Sequence, residues 1–194
     1  MEAAQRAGVK TVVMATSCAV LGLGVHLSGG RFPIAYLPVD EEHPLFFEDT
    51  YGLSKVINEN TLAAYSRAYG MRCYALRPAG IMRPESQHEH ARAYVPPPVW
   101  NDWLFPYIDI RDLARAFRMC LESAAVLPPF DVFFICAPDS FELEDTRHLI
   151  ERLRPDLVDK AKGLVGRQSL ISGAKAERSF GFRPEHGWTD FLPK

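Results

Sequence analysis

The sequence lacks several features that would each indicate a class of protein. It has no run of Lys or Arg, and its formal net charge is -2, so the basic stripe typical of nucleic-acid binders is missing. No apolar run reaches the roughly 20 residues that a membrane-spanning helix needs. There is no low-complexity tract and no internal repeat. The 47% hydrophobic and 24% charged residues are typical of an ordinary globular domain, with no nucleic-acid or membrane partner expected.

The four cysteines argue against a zinc site, because no two of them form a Cys-x-x-Cys pair. Cys73, Cys120 and Cys136 lie in apolar segments, which predicts buried thiols in a reducing compartment. The stretch from Lys10 to His26 faintly resembles a signal peptide, but it carries Thr16, Ser17 and glycines. We therefore expect a cytoplasmic protein.

Apolar runs and helix-capping residues divide the chain into alternating elements. "TVVMA" is a continuous apolar run, which is typical of a strand buried on both faces. Asp49 or Thr50 can cap a helix that Gly70 ends. The remaining segments 22–47 and 84–106 show no clear periodicity and are predicted to be loops. The predicted strands lie at 11–16, 72–78 and 131–137, and the predicted helices at 2–8, 49–70, 110–121, 146–153 and 172–180.

Strands that alternate with helices predict an α/β fold with a parallel sheet, and ligands in such sheets bind beyond the carboxyl ends of the strands. Ser17 follows the first predicted strand, and Arg77, Pro78, Ala79 and Gly80 lie at the end of the second. Tyr51 begins the helix between them. These residues are therefore expected along one rim of the sheet.

Tyr51 and Lys55 are four residues apart, so they share one face of the predicted helix. The spacing alone is weak evidence, since two such residues often form an exposed surface pair. At the ligand rim, however, an ammonium group beside a phenol favours the ionised phenol. Such a tyrosine can take a proton from a hydroxyl group or return one to a carbonyl.

Five motifs resemble, in order, those of the extended short-chain dehydrogenase/reductase family, the NAD-dependent epimerase/dehydratase group. They are "VVMATSCAVLG", "YGLSK", "LRPAGIMRP", "YIDIRDLARAF" and "SGAKAERSFGFRP". The resemblance implies a partial Rossmann-type parallel sheet with a small C-terminal substrate-binding part. It assigns 1–83 and 107–138 to the second half of the nucleotide-binding domain, and 84–106 and 139–194 to the substrate-binding part.

The resemblance also implies roles for individual residues. Tyr51 would be the acid/base, Lys55 would favour its ionised form and hydrogen-bond the nicotinamide ribose, and Ser17 would hold the substrate oxygen. Arg77 is a further candidate substrate ligand, and an ion-pair role is the alternative for it. The remaining cofactor contacts would come from the strand-end residues Pro78, Ala79 and Gly80.

One family motif is missing, the Gly-x-x-Gly-x-x-Gly turn that follows the first strand. The glycines of "GLGVHLSGG" do not supply it, because Leu27 stands where a glycine is required and no helix is predicted to follow. The residue that selects NAD or NADP is missing too. We expect NAD or NADP as cofactor, with NAD favoured and weak binding by this chain alone. Because the family serine lies much further along the chain, a truncated gene or fragment is the expected explanation.

The substrate remains open between several alternatives. "YLPVDEEHPLFFEDTYGLSK" is similar to the uronate-dehydrogenase-like branch, but the Asn-His pair of that branch is Ala19-Val20 here. Gly80 stands where sugar-nucleotide epimerases carry an asparagine, and Phe105 and Pro106 stand where they tend to carry an arginine. The primary expectation is oxidation or reduction of a sugar or sugar acid. The alternatives are a sugar-nucleotide epimerase or dehydratase, and a non-catalytic fragment or binding scaffold. A homo-oligomer is compatible with either enzyme.

Two acidic or histidine-rich stretches are predicted to be solvated loops without a ligand. "HEH" at 88–90 has no third ligand nearby, so no metal site is expected. Glu41 and Glu42 are expected to lie in solvent.

Overall fold

The computed structural model describes residues 1–23 and 26–193. Its helices are α1 (Glu2–Arg6), α2 (Thr50–Tyr69), α3 (Pro84–Ala93), α4 (Ile110–Glu122), α5 (Thr146–Leu153) and α6 (Ala174–Phe180). Its strands are β1 (Thr11–Ala15), β2 (Arg72–Pro78), β3 (Gly80–Met82), β4 (Tyr107–Asp109) and β5 (Phe130–Ile135). Short 3-10 turns occupy Cys18–Leu21, Ser123–Ala125, Pro155–Leu157 and Trp188–Phe191.

The main sheet consists of three parallel strands in the order β1-β2-β5. This confirms the predicted α/β fold with a parallel sheet. The central strand β2 is buried along most of its length, because β1 and β5 pair with its two edges. A second parallel pair, β3 with β4, extends from the carboxyl end of β2, in register from Gly80 opposite Tyr107. The sequence did not predict this pair, since each of its strands has three residues.

Helix α2 begins and ends where its capping residues predict. The Asp49 carboxylate accepts a hydrogen bond from the Gly52 N–H at 2.8 Å, which caps the first turn. Gly70 ends the helix in the left-handed conformation that glycine adopts readily. Between these caps, Leu62 packs with Cys73 and Ala75 of β2 on one face of the sheet.

Helix α4 covers the other face of the sheet, in an orientation that differs from the predicted one. Leu113 and Cys120 are buried against β2 and β5 as predicted, and Ala116 is buried with them. The helical spacing of the apolar residues in the sequence predicts a buried face of Ile110, Leu113, Ala114, Phe117, Cys120 and Leu121, with Asp112 on the polar face. Ile110 and Leu121 are nevertheless 43% and 51% exposed. The buried stripe instead includes Asp112 on the predicted polar face, because that carboxylate is paired with Arg115 at 2.9 Å.

The prediction of a loop over the whole of 84–106 was wrong, because α3 occupies its first ten residues. "HEH" is therefore helical. His90 stacks on Phe141, with ring centroids 3.7 Å apart, and His88 contacts Phe191. Gln87 donates a hydrogen bond to Asp109 at 2.6 Å. Tertiary contacts, and not an apolar stripe, hold this helix.

The expectation that Glu41 lies in solvent was also wrong, whereas Glu42 is exposed. The Glu41 carboxylate accepts a hydrogen bond from the Phe134 N–H at 2.7 Å, on the edge of β5 that faces away from β2. Burial raises the pKa of this carboxyl group. Glu41 thus satisfies a backbone donor that would otherwise be left unpaired at the sheet edge.

All four cysteines are buried and unpaired, which confirms the prediction for Cys73, Cys120 and Cys136. Of the helices in the described ranges, none combines the length and the apolar character required to cross a bilayer. The sequence analysis concludes that the glycines of segment 22–30 do not form the family's glycine-rich turn. One of these glycines, Gly24, lies outside the described residues.

Candidate active site

A pocket of about 510 Å³ opens at the carboxyl ends of β1 and β2. This is the rim at which ligands of parallel α/β sheets bind. Its lining residues come from β1 and the turn after it, the first turns of α2, the end of β2 with the start of β3, and the segment before β4. They are Ala15, Thr16, Ser17, Cys18, Tyr51, Lys55, Pro78, Ala79, Gly80, Ile81, Trp103 and Pro106.

Ser17 reaches the pocket because it caps the 3-10 turn that follows β1. Its Oγ accepts a hydrogen bond from the Ala19 N–H at 3.1 Å, which leaves the hydroxyl proton for donation. The neighbouring hydroxyl of Thr16 is buried and donates to the Leu76 carbonyl at 3.1 Å. Of these two hydroxyl groups, Ser17 is therefore the one with a donor to spare for a ligand.

Tyr51 and Lys55 stand one turn apart at the start of α2. The Lys55 Nζ lies 5.1 Å from the centre of the Tyr51 ring, and Tyr51 as a whole residue is 53% exposed. A cation at this distance interacts favourably with an aromatic ring. The pair is open to the pocket, so a proton can pass between the phenol and a bound molecule.

Gly52 allows α2 to approach the turn that carries Ser17. A Cβ at this position would lie 2.7 Å from the Phe47 Cβ and 3.1 Å from the Ala19 carbonyl oxygen. A Cβ contact of 2.7 Å essentially never occurs and one of 3.1 Å is unusually tight, so only glycine fits without displacement of its neighbours. The glycine of the "YGLSK" motif thus brings Tyr51 and Ser17 to the same pocket.

Cys18 also lines the pocket, yet it is a poor nucleophile. Burial raises the pKa of its thiol to about 12. The thiol is therefore protonated at neutral pH, and the thiolate is the reactive form.

The structure does not bring Arg77 to the pocket with the other predicted residues. Its side chain is 5% exposed and makes two hydrogen bonds to the Glu59 carboxylate, at 2.9 and 2.8 Å. Its guanidinium group also lies over the Phe134 ring. Arg77 holds α2 to the sheet beneath the site, which is the ion-pair alternative for this residue.

Several lining residues were missed by the sequence analysis, namely Ala15, Cys18, Ile81, Trp103 and Pro106. Trp103 and Pro106 lie in the segment 84–106, where no periodicity pointed to a surface. Their position follows from the pairing of β3 with β4, which places Pro106 against Gly80. Three-residue strands carry too little pattern to be found in a sequence.

Comparison with known proteins gives a family and a fold. Residues 1–136 match the model of the NAD dependent epimerase/dehydratase family. A putative UDP-glucose 4-epimerase of Methanocaldococcus jannaschii is 44% identical over 46 residues, which are 24% of this chain and 15% of that protein.

Solved structures resemble almost the whole chain. The RMD protein of Pseudomonas aeruginosa, complexed with NADPH, matches with a TM-score of 0.62 and 20% identity, over 98% of this chain and 67% of that one. The UDP-glucose-4-epimerase of Stenotrophomonas maltophila, with bound NAD and formylated UDP-arabinopyranose, matches with a TM-score of 0.61 and 18% identity, over 98% and 63%. At these identities the likeness shows the fold, which is that of the Rossmann-type short-chain dehydrogenases. The chain spans about two thirds of the length of these proteins.

Proposed function

Because the chain belongs to the NAD dependent epimerase/dehydratase family, we propose that it forms the catalytic part of a nicotinamide-dependent oxidoreductase that acts on a sugar or sugar-acid hydroxyl or carbonyl group. The observation that carries this proposal is the shared pocket of Ser17, Tyr51 and Lys55 at the carboxyl ends of β1 and β2. The substrate-binding part would comprise 84–106 and 139–194.

Each of the three side chains has a separate part in the proposed reaction. In oxidation, the phenolate of Tyr51 takes the proton of the substrate hydroxyl, and in reduction the phenol returns it. The Lys55 ammonium stabilises the phenolate form by its charge. The Ser17 hydroxyl donates a hydrogen bond to the reacting oxygen. The nicotinamide ring, when bound, accepts or supplies the hydride, because no side chain can.

The residues present fit the nicotinamide end of such a cofactor. Pro78, Ala79 and Gly80 form one wall of the pocket at the end of β2, and Lys55 offers a donor for the ribose hydroxyls. The similar structures hold NADPH or NAD. We favour NAD, with the substrate a small sugar-like molecule.

A sugar-nucleotide epimerase is the second candidate function. The relatives named UDP-glucose 4-epimerase favour it. Gly80 and Phe105 argue against it, since the sequence comparison expects an asparagine and an arginine at those positions. Substrate screening separates the two enzymes: NADH would accumulate with a free sugar or sugar acid, whereas an epimerase interconverts two UDP-sugars without net reduction of NAD.

Replacement of the catalytic tyrosine tests the function. Tyr51→Phe removes the phenolic proton and keeps the ring, so turnover should fall on the order of 100-fold, as is typical for loss of a general acid–base. The measurement is NADH formation at millimolar NAD with a panel of sugars and sugar acids. Tyr69→Phe, at the exposed far end of α2, is the matched control and should keep the wild-type rate.

Near-wild-type turnover in Tyr51→Phe would rule out the role assigned to the phenol. If the wild-type chain turns over none of the sugars and binds neither cofactor at millimolar concentration, the non-catalytic scaffold is the correct alternative.

A further inference from the structure

Trp103 forms the boundary between the catalytic pocket and a second pocket beside it. It lines both, and 41% of its surface is exposed. The second pocket has a volume of about 460 Å³ and is lined by Pro97, Pro98, Val99, Trp100, Asn101, Asp102, Trp103, Phe105 and Glu142. A molecule larger than the reacting group could therefore extend past the indole from one pocket into the other.

The backbone around Trp103 is fixed in an unusual conformation. Leu104 and Phe105 both have positive φ angles, 64° and 54°, which residues with side chains seldom adopt. Both side chains are buried, and the Phe105 carbonyl accepts a hydrogen bond from the Phe141 N–H at 3.0 Å. The Trp103 N–H donates to the Asn101 Oδ1 at 2.9 Å. Such strain persists only where the surroundings impose it, and it is concentrated at ligand sites.

The charges that line the two pockets are poorly suited to an anionic substrate. In the catalytic pocket, Lys55 is the one cation among the described lining residues, and it already serves Tyr51 and the cofactor ribose in the proposed function. The described residues that line the second pocket include two carboxylates, Asp102 and Glu142, and no cation. A phosphate or carboxylate group there would meet the Asp102 charge first, because Glu142 is 7% exposed and its Oε2 already accepts a hydrogen bond from the Tyr94 hydroxyl.

The nearest arginines lie outside the described lining of the second pocket. Arg154 lies behind Asp102 at 3.7 Å and is bonded to Asp156 at 2.8 Å, and Arg152 is bonded to Glu144 at 2.5 Å. Arg31 and Arg152 line an adjoining depression, which shares Pro98, Val99, Trp100 and Asp102 with the second pocket. These cations partly offset the negative charge of the two carboxylates. None of them belongs to the described lining of the second pocket.

We propose that Trp103 stacks on the face of an uncharged sugar ring, and that Asp102 and Glu142 accept hydrogen bonds from that sugar's hydroxyl groups. An aromatic face packs well on the C–H face of a sugar, and carboxylates are strong acceptors for hydroxyl donors. This inference rests on the proposed function for the reacting hydroxyl at Tyr51. It narrows the substrate class to neutral sugars, in preference to sugar acids and sugar nucleotides.

Ligand-observed saturation-transfer NMR of the 194-residue protein tests the inference without requiring turnover. Galactose, galacturonate and UDP-galactose are the three probes. Galactose should bind several-fold more tightly than either anion. Trp103→Ala should weaken galactose binding by about tenfold, with partial recovery in Trp103→Phe. Tyr69→Ala, which removes an exposed aromatic ring outside both pockets, is the control and should bind like the wild type.

A variant with one carboxylate fewer should shift the binding preference toward the anionic sugar. Asp102→Asn removes one negative charge at nearly constant size, so binding of galacturonate relative to galactose should rise about threefold. A thermal melt of each variant establishes that it is folded. Tighter binding of UDP-galactose than of galactose would overturn the inference and would indicate that Arg31 and Arg152 hold a diphosphate. Equal galactose binding in Trp103→Ala, or no binding of galactose by the wild type, would also overturn it.

The two proposals fail in different ways. If the wild type binds galactose through Trp103 yet produces no NADH from any sugar, the proposed function fails and the stacking site stands. If NADH forms only with galacturonate and Tyr51→Phe abolishes this, the proposed function stands and the neutral-sugar inference fails.

Discussion

At the scale of single residues, the site depends on a position with no side chain. Gly52 lies between Tyr51 and the rest of α2, and its missing Cβ lets the helix contact Phe47 and Ala19. The sequence motif shows that a glycine stands there, but the reason lies in the packing of the helix against Phe47 in the preceding loop and against Ala19, thirty-three positions earlier in the chain. A local pattern cannot reveal such an approach, because it is a property of the packed structure.

Gly52→Ala should therefore destabilise the protein by about 1–3 kcal/mol, since the added methyl group overpacks the contact. The helix start must move to relieve this, so turnover should fall as well. The free energy of unfolding from urea titration is the measurement. Gly163→Ala is the matched control: nothing lies within 4 Å of its added Cβ, so its effect should be within about 0.5 kcal/mol. Equal stability of the two variants would contradict the packing argument.

At the scale of elements, the sequence predicts those parts whose signal is local. The apolar run of β2 and the caps of α2, Asp49 and Gly70, each lie within a few residues of the element that they define. Helix α3 has no apolar stripe and depends on Gln87 and His90, which contact residues more than twenty positions away. For the same reason the sequence could not reveal that Asp112 of α4 is buried.

Asp112 joins α4 to the C-terminal segment. Its carboxylate accepts hydrogen bonds from Arg115 and from the backbone N–H groups of Glu185 and His186, at 2.8 to 2.9 Å. Burial opposes its ionisation, but the bonds from Arg115, His186 and Glu185 outweigh this and lower the pKa of the carboxyl group. The ionised form is therefore the one that stabilises the folded chain.

This lowered pKa predicts a specific loss of stability in acid. The stabilisation from Asp112 is complete above the ordinary aspartate pKa of about 3.9 and disappears as the pH falls through the lower folded value. Asp112→Asn should cost about 2 kcal/mol at pH 7, as for a hydrogen bond to a charged group. The difference in unfolding free energy between wild type and variant should then shrink below about pH 4. A difference that stays constant down to pH 2 would contradict the assignment.

At the scale of the whole molecule, the proposed site would hold only the nicotinamide half of a dinucleotide. The sequence contains no Gly-x-x-Gly-x-x-Gly turn to hold a pyrophosphate at a helix N-terminus. We predict that the 194-residue chain binds NAD or NADP with a dissociation constant well above micromolar. Isothermal titration calorimetry measures this directly. Binding at micromolar or better would mean that residues of this chain supply a pyrophosphate site by another route.

The sheet has one edge that no described strand covers. The carbonyl of Lys10 and the N–H of Thr16 bond to β2, so the alternate residues Thr11, Val13 and Ala15 direct their backbone groups away from β2. The two faces of β1 are partly covered, by α4 and by Met1 and Ala4. The uncovered part of the strand is therefore mainly its outer edge.

An uncovered edge of this kind is a template for pairing with another strand, because "TVVMA" carries neither charge nor proline. We predict that the isolated chain self-associates through residues 11–16, with an apparent mass above that of a monomer by light scattering. Thr11→Pro should lower this mass, since proline at the first residue of an edge strand removes an outward N–H without breaking the bonds to β2. Thr11→Val keeps that N–H and should associate as the wild type does. A wild-type chain that remains a stable, cooperatively unfolding monomer would refute the prediction.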